Sequence, residues 1–267
     1  MMSVPLEEGR RLALERLRPF AERARTFSGW AFPEMQVRPL GPGPAWDYES
    51  LVRDLARGAN SALDLGTGGG EFIASVRDSL PPRVVATEEW RVNAPIAYER
   101  LRPLAADLVW CRSLHLPFVD ASFELVIDRH EELSPREVAR VLSPGGRVIT
   151  QQVGPENWRE LRRYFPSATA GIRESRVADF GDIRGRYASG FEAAGLRVTR
   201  NEEHDYRVAY GELGELVFML LVTPWTIPDF DVERDLDALL ALEADCRTDD
   251  GLAMTWSRFL LVAEKRA

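Results

Sequence analysis

Short apolar runs alternate with helical patterns along most of this chain. Runs at 62–65, 84–87, 108–111, 123–127, 147–151, 196–200 and 259–263 are too short for helices and read as strands. Between them, apolar positions recurring every three or four residues predict helices near 70–79, 91–103, 134–142 and 174–194. The helix at 134–142 has the clearest start: Ser134 stands at the cap, Pro135 suits the first helical position, and Glu137 is spaced to close a capping box. Ahead of this alternation, Leu6, Leu12, Leu14, Leu17, Phe20 and Ala24 lie among charges at near-helical spacing, predicting an amphipathic helix over 5–27. The stretch "RPLGPGPAW" (38–46) reads as a loop. Alternating strands and helices predict an α/β fold, a largely parallel sheet covered on both faces. Residues 211–250 break the rhythm and predict a helical lid inserted before the last strand. The expected division is 1–50 as a helix and loop closing the site, 51–210 as core, 211–250 as lid, and 251–267 as the final core strand.

Composition limits what this pattern can be. The 267 residues are 45% hydrophobic and 28% charged, enough for one large domain carrying an insertion. The longest apolar run, "ELVFMLLV" (215–222), is far short of the roughly 20 residues a bilayer span needs, and "MMSVPLEEGRR" has no signal-peptide core, so a cytoplasmic location is expected. Cys111 and Cys246 are far apart, which points to neither a disulfide framework nor a metal site. The net charge of −8 is concentrated: residues 228–250 hold nine acids against Arg234 and Arg247, a net of −7. The remainder is almost neutral and has no basic stripe, which disfavours a nucleic-acid backbone as partner.

The candidate chemistry begins at "ALDLGTGGGEF" (62–72), where a strand passes into a helix at the carboxyl edge of the predicted sheet, the place where ligands bind in such folds. Gly66, Gly68 and Gly70 bare the backbone for close approach, and Asp64 stands two residues before the first of them. The spacing is G-x-G-x-G rather than the dinucleotide G-x-G-x-x-G. Eighteen residues beyond Gly70, the second strand ends in Glu88, whose carboxylate can accept from both hydroxyls of a ribose.

With "LDLGTGGGE", "VVATEE", "LPFVDASFELV", "VLSPGGRVI" and "RFLLVAEK" in this order, the chain resembles the class I S-adenosylmethionine-dependent methyltransferases, in particular the type 11 group. The resemblance implies a Rossmann-like sheet of seven strands, the last antiparallel, and S-adenosylmethionine as cofactor. By position, Asp64 would approach the cofactor's ammonium and Gly66, Thr67, Gly68 and Gly70 would line its amino-acid portion. Glu88 would hold the ribose, with Glu89 beside it, and Trp90 would cover the adenine. Where relatives often place an aspartate against the adenine amino group, this chain has Arg112, Ser113 and Leu114, so Ser113 or a backbone group would have to substitute. Asp128 and Arg129, after the fourth strand, complete the expected cofactor set.

Acceptor chemistry is expected after the fourth and fifth strands. His130 has the pKa range for proton abstraction and Glu131 could orient it; alternatively His130 caps the strand end. Gln151 and Gln152 could bind a polar substrate or satisfy the end of the sheet. Trp225 could wall an acceptor pocket or pack a lid helix, with Trp30 or Trp46 closing the other side. His115 lies beside the adenine loop, and His204 reads as solvated. The leading function is methyl transfer to a small or modest-sized acceptor. An RNA acceptor would gain support if Arg159, Arg162, Arg163, Arg173 and Arg176 gathered at the cofactor mouth. A nicotinamide-dependent oxidoreductase is opposed by the glycine spacing and by the lone Lys265, and a non-catalytic cofactor-binding protein remains a third reading.

Overall fold

Side chains on successive strand residues point to opposite faces, and in a doubly covered parallel sheet both sets must be apolar. The computed structural model, which describes residues 4–32, 35–169 and 182–267, follows this rule closely. In chain order its strands are β1 (Arg38–Pro39), β2 (Ser61–Leu65), β3 (Arg83–Glu88), β4 (Asp107–Trp110), β5 (Phe123–Arg129), β6 (Leu142–Val153), β7 (Leu196–Tyr210), β8 (Arg247–Thr248) and β9 (Gly251–Lys265). The helices are α1 (Val4–Thr26), α2 (Tyr48–Ala56), α3 (Glu71–Val76), α4 (Ala94–Leu101), α5 (Pro135–Val141), α6 (Ile183–Ala193), α7 (Leu213–Val222) and α8 (Leu236–Cys246).

The sheet order is β1-β7-β9-β6-β5-β2-β3-β4, with β8 folded back on β9. Strands β6, β5, β2, β3 and β4 are mutually parallel, while β9 is antiparallel to both β6 and β7. Without the two-residue strands β1 and β8, this is the expected seven-stranded sheet with its last strand reversed. Leu63, Val85, Val126 and Val148 face α5 and α6, whereas Ala62, Val84, Leu125, Ile127 and Ile149 face α2, α3 and the end of α4. Asp47 caps α2 through the Glu49 and Ser50 N–H groups, and that helix was not anticipated from the sequence.

Three other details differ from expectation. Ser134 does cap α5, accepting from the Glu137 N–H, but Glu137 turns its carboxylate to Arg140 and to the Leu116 N–H, so the capping box is not closed. Two competing donors outbid the cap N–H, and they pull the Glu137 pKa down to about 2, chiefly through Arg140. Of the helix expected at 174–194, residues 183–193 form α6 and 174–181 lie outside the described residues. Finally, β7 and β9 each run to 15 residues, well beyond the apolar cores that announced them.

That overrun creates the second half of the molecule. Beyond Glu203 and Phe259 the two strands continue as an antiparallel ribbon, pairing as far as Tyr210 and Leu252. One side of the ribbon is covered by a separate apolar cluster containing Leu17 of α1, Leu216 and Leu220 of α7, Leu239 of α8, Trp158 and Met254. The acidic segment is tied into this cap: Arg16 forms a two-pronged pair with Glu243 at 3.0 and 2.6 Å, and Asp237 and Asp245 pair with Arg10 and Arg163. No helix among the described residues is long and apolar enough to cross a membrane.

Leu17 is fully buried where α1 enters the cap cluster. Leu17→Ala should therefore lower unfolding stability by about 2–5 kcal/mol in urea titrations. It should also make α1 the first site of limited proteolysis; an unchanged urea midpoint would mean that α1 is not part of the cooperative core.

Candidate active site

All five parallel strands end at the same edge of the sheet, and a cavity of about 520 Å³ lies there between the sheet and the cap. This volume falls within the range of small-molecule sites. The loop leaving β2 forms one end. Gly66 and Gly68 take φ values of 61° and 63°, a region that side-chain-bearing residues rarely adopt. A Cβ at Gly68 would run into the Trp30 ring, and one at Gly66 into the Glu131 side chain. Buried Thr87 holds the loop from β3: its hydroxyl accepts from the Gly66 N–H at 3.2 Å and donates to the Asp64 carbonyl at 3.2 Å, while its own carbonyl accepts from the Thr67 N–H at 2.8 Å.

Acid concentrates at this end. Burial pushes Asp64 up to about 7, against the opposing influence of the Thr67 hydroxyl and the Arg129 charge, with Glu88 adding a smaller upward push. Burial also raises the pKa of Glu88, although its carboxylate accepts from the Trp90 N–H at 2.7 Å and from other backbone N–H groups of the surrounding loops. Asp128 does not line the cavity but lies fully buried beneath it. It accepts from the Gln152 amide at 2.5 Å, from Thr150, and from the Glu131 N–H at 3.3 Å. Burial still drives its pKa far above the usual carboxylate range.

The glutamines divide their work. Gln152 spends its amide on Asp128, the Glu131 carbonyl and Thr150, so it satisfies the sheet end while still bordering the cavity. Gln151 accepts from the Trp46 indole at 2.8 Å. Trp46 is thus buried behind Gln151 rather than forming a wall, whereas Trp30 and Trp225 do line the cavity. Trp225 lies between Trp30 and Trp90, with ring centroids 6.4 and 6.0 Å away. The segment around Trp30 is fastened to the core by Gly29 N–H donating to Asn93 Oδ1 at 2.9 Å and by Trp30 N–H reaching Glu71 at 3.4 Å.

His130 lines the cavity with its backbone at φ 68°. Desolvation in the cavity lowers its pKa well below 6.5 although the residue keeps solvent exposure, and the charges of Arg258 and Arg129 act in the same direction, leaving a neutral imidazole. Glu131 lies over Gly66, and the guanidinium of Arg129 sits 4.7 Å from the Phe72 ring. Residues 112–114 and Glu89 are not brought to the cavity: Arg112 pairs with Glu89 at 3.1 Å, and Ser113 is buried.

The far end of the cavity is built from residues the sequence reasoning did not assign to the site. Tyr206 and Tyr210 of β7, Trp256 and Arg258 of β9, and Asn157 and Trp158 after β6 line it. Strict alternation in "DYRVAY" and "TWSRF" was the available signal, because it places Tyr206, Tyr210, Trp256 and Arg258 on one ribbon face. His204 lies opposite Arg258 on the ribbon. The arginine cluster considered for RNA does not assemble among the described residues: Arg162 pairs with Glu156 and Arg163 with Asp245, while Arg173 and Arg176 lie outside them. No group of three or more potential ligands among the described residues could hold a metal ion.

This strand order, with a glycine loop after the first parallel strand and an acid after the second, defines a class I methyltransferase fold. Residues 63–150, about a third of the chain, match the family described as "Methyltransferase domain". A bifunctional biotin-biosynthesis protein of Cellvibrio japonicus is 26% identical over 81% of this chain and 44% of its own length. A ubiquinone/menaquinone biosynthesis C-methyltransferase of Desulfotalea psychrophila is 30% identical over 45% of this chain and 52% of its own length. The chain thus spans about half the length of the curated relatives it matches. A candidate methyltransferase structure from Bacillus halodurans superposes with a TM-score of 0.59 at 16% identity, covering 82% of this chain and 99% of the other.

The Asp64 shift sets a sign for stability. A carboxyl group whose pKa is raised from 3.8 to about 7 costs nothing below pH 4, and its ionisation penalty is complete above pH 7. Asp64→Asn should therefore gain on the parent protein between pH 4 and 7, by on the order of 4 kcal/mol at the upper end. Urea titrations across that range would show a constant difference if Asp64 were an ordinary carboxylate.

Proposed function

We propose that the protein is an S-adenosylmethionine-dependent methyltransferase acting on a small or modest-sized acceptor. The observation that carries this reading is the bare Gly66–Gly68 turn with Asp64 and Glu88 at one end of a single cavity. S-adenosylmethionine would supply an electrophilic methyl group there. Asp64, once ionised, would hold the ammonium of its amino-acid portion, and the turn from Gly66 to Gly70 would let that portion approach the backbone. Glu88 would accept from the ribose hydroxyls, its orientation fixed by the Trp90 N–H. Trp90 would cover the adenine, and Trp225 and Trp30 would exclude water between this end and the acceptor.

The chain's own contribution to transfer is alignment, because methyl transfer needs a nucleophile held in line and kept dry. His130, neutral and facing the cavity, would accept a hydrogen bond from an acceptor hydroxyl or amine and orient it, its lowered pKa making it a weak base. Segments 1–50 and 211–250 would act as the closing parts, since Trp30 and Trp225 come from them. Relatives named for quinone methylation and for biotin biosynthesis support a small-molecule acceptor. The pairing of Arg162 and Arg163 with acids weighs against RNA.

Calorimetric titration with S-adenosylhomocysteine should give micromolar binding, with NADH and NADPH inert. Asp64→Ala and Gly68→Ala should each weaken it tenfold or more, the second because a side chain is strained at φ 63° and meets Trp30. Binding should strengthen about tenfold from pH 6 to pH 8, as a group with a pKa of about 7 ionises. Nicotinamide binding in place of S-adenosylhomocysteine would overturn the reading. Trp225→Ala should weaken acceptor affinity while leaving cofactor affinity intact; unchanged acceptor affinity would remove Trp225 from the acceptor wall.

A further inference from the structure

The two ends of the cavity carry opposite charge. Asp64, Glu71, Glu88 and Glu131 border the glycine loop, whereas Arg258 stands at the ribbon end. Register separates them: Arg258 pairs with Val153, and β9 is three strands from β2 across β6 and β5. At about 4.8 Å per strand spacing, Arg258 is roughly 14 Å from the glycine loop along the sheet edge.

Arg258 forms no salt bridge among the described residues. Its Nη1 is fully engaged, donating to Asn157 Oδ1 at 2.8 Å and to the Ser257 carbonyl at 2.7 Å. Its guanidinium packs 4.9 Å from the Trp256 ring. Asn157 Oδ1 also accepts from the Ser257 N–H at 3.3 Å, so this anchor is itself fixed to the β9 backbone. The Nε–Nη2 edge, the planar fork that matches a carboxylate, engages no protein group among the described residues. Nearby, the Tyr210 hydroxyl accepts from both the Trp158 indole at 3.0 Å and the Trp256 indole at 3.2 Å, which leaves its own O–H as a donor. Burial pushes the Tyr210 pKa up to about 12, so that donor persists at neutral pH. Burying an arginine without a counter-charge is costly unless a ligand supplies the charge.

We propose that this end of the cavity binds the acceptor through a carboxylate held on the Nε–Nη2 edge of Arg258, with the acceptor's apolar body lying among Trp256, Tyr206 and Trp158. The proposal rests on the methyltransferase reading for calling the ligand an acceptor. A monoanion suits the site better than a phosphate dianion: Arg258 offers one planar fork, His130 is neutral, and Arg129, whose charge reaches Arg258, packs on Phe72.

The test uses full-length protein saturated with S-adenosylhomocysteine, titrated with 3-phenylpropionate and octanoate and with their isosteric amides, 3-phenylpropionamide and octanamide. At least one acid should bind tenfold or more tightly than its amide. Arg258→Met should bring that ratio within twofold, Arg258→Lys should fall between because it keeps the charge and loses the fork, and S-adenosylhomocysteine affinity should stay within twofold in both. Should the methionine variant fail to fold, the lysine variant carries the comparison. Equal binding of acids and amides, no binding of either acid at 10 mM, or discrimination that survives in the variants would overturn the proposal. So would stronger binding of phenyl phosphate than of either acid. A tenfold loss of S-adenosylhomocysteine affinity in the variants would assign Arg258 to the cofactor's own carboxylate and overturn it likewise. If the parent protein does not bind S-adenosylhomocysteine, the cofactor reading fails separately, and the same acid–amide comparison on the unliganded protein still decides the anion site.

Discussion

The site depends on two carboxylates buried at the ends of neighbouring parallel strands. Asp64 is the last residue but one of β2, and Asp128 stands near the end of β5, next to Leu65 in the register. A buried carboxylate is tolerable only when it is hydrogen-bonded, and Asp128 is so provided for that it organises its surroundings: Thr150 and Gln152 turn toward it, and the Glu131 N–H closes the turn that carries His130. The Asp128 carbonyl accepts from the Tyr48 hydroxyl at 2.6 Å, tying α2 to the same point. Asp64 borders the cavity, which Asp128 does not reach, and burial raises the pKa of both. One carboxylate is committed to the sheet edge; the other borders the cavity, and on the proposed reading it is the one that meets a cationic ligand group.

The cap follows from strand length. β6 ends at Val153, but β7 and β9 continue, and a free two-stranded ribbon is marginal in water. It is stabilised by burying its apolar positions under α1, α7 and α8, and the same ribbon then presents Tyr206, Tyr210, Trp256 and Arg258 to the cavity. The acidity of residues 228–250 is part of this assembly, because Glu243, with its side chain only 9% exposed, binds both Arg16 and Arg247. This clasp of two part-exposed arginines on a buried carboxylate favours one docking geometry for α1, and α1 leads directly into the segment carrying Trp30.

Much of the core was legible because its constraints are local. Strands buried on both faces must be nearly continuous apolar runs, and all seven expected runs fall within strands except Cys111, one residue past β4. The glycine loop was legible because few residues tolerate φ near 60°. The ribbon was not. "RNEEHDYR" is charged and half-exposed, since only one of its faces is covered, and it shows little of the apolar enrichment that marks a core strand. Arg258 escaped for a related reason: it directly precedes the apolar run 259–263, and only its pairing with Val153 and His204 places it at the cavity. Trp46 was singled out by residue type, but its role behind Gln151 depends on a contact across 105 residues.

These differences separate cofactor from acceptor recognition in physical terms. The glycine-loop end must accommodate one unvarying molecule, so backbone conformation and a few fixed carboxylates suffice, and those demands leave a motif in the sequence. The ribbon end is built from side chains on a strand pair whose register is fixed by the core, and its cavity-lining residues share a face with the cap cluster: Tyr210 belongs to that cluster, and Tyr206 and Trp256 pack against it. Within four consecutive residues, Thr255 and Ser257 are buried on one side of β9, while Trp256 and Arg258 line the cavity on the other.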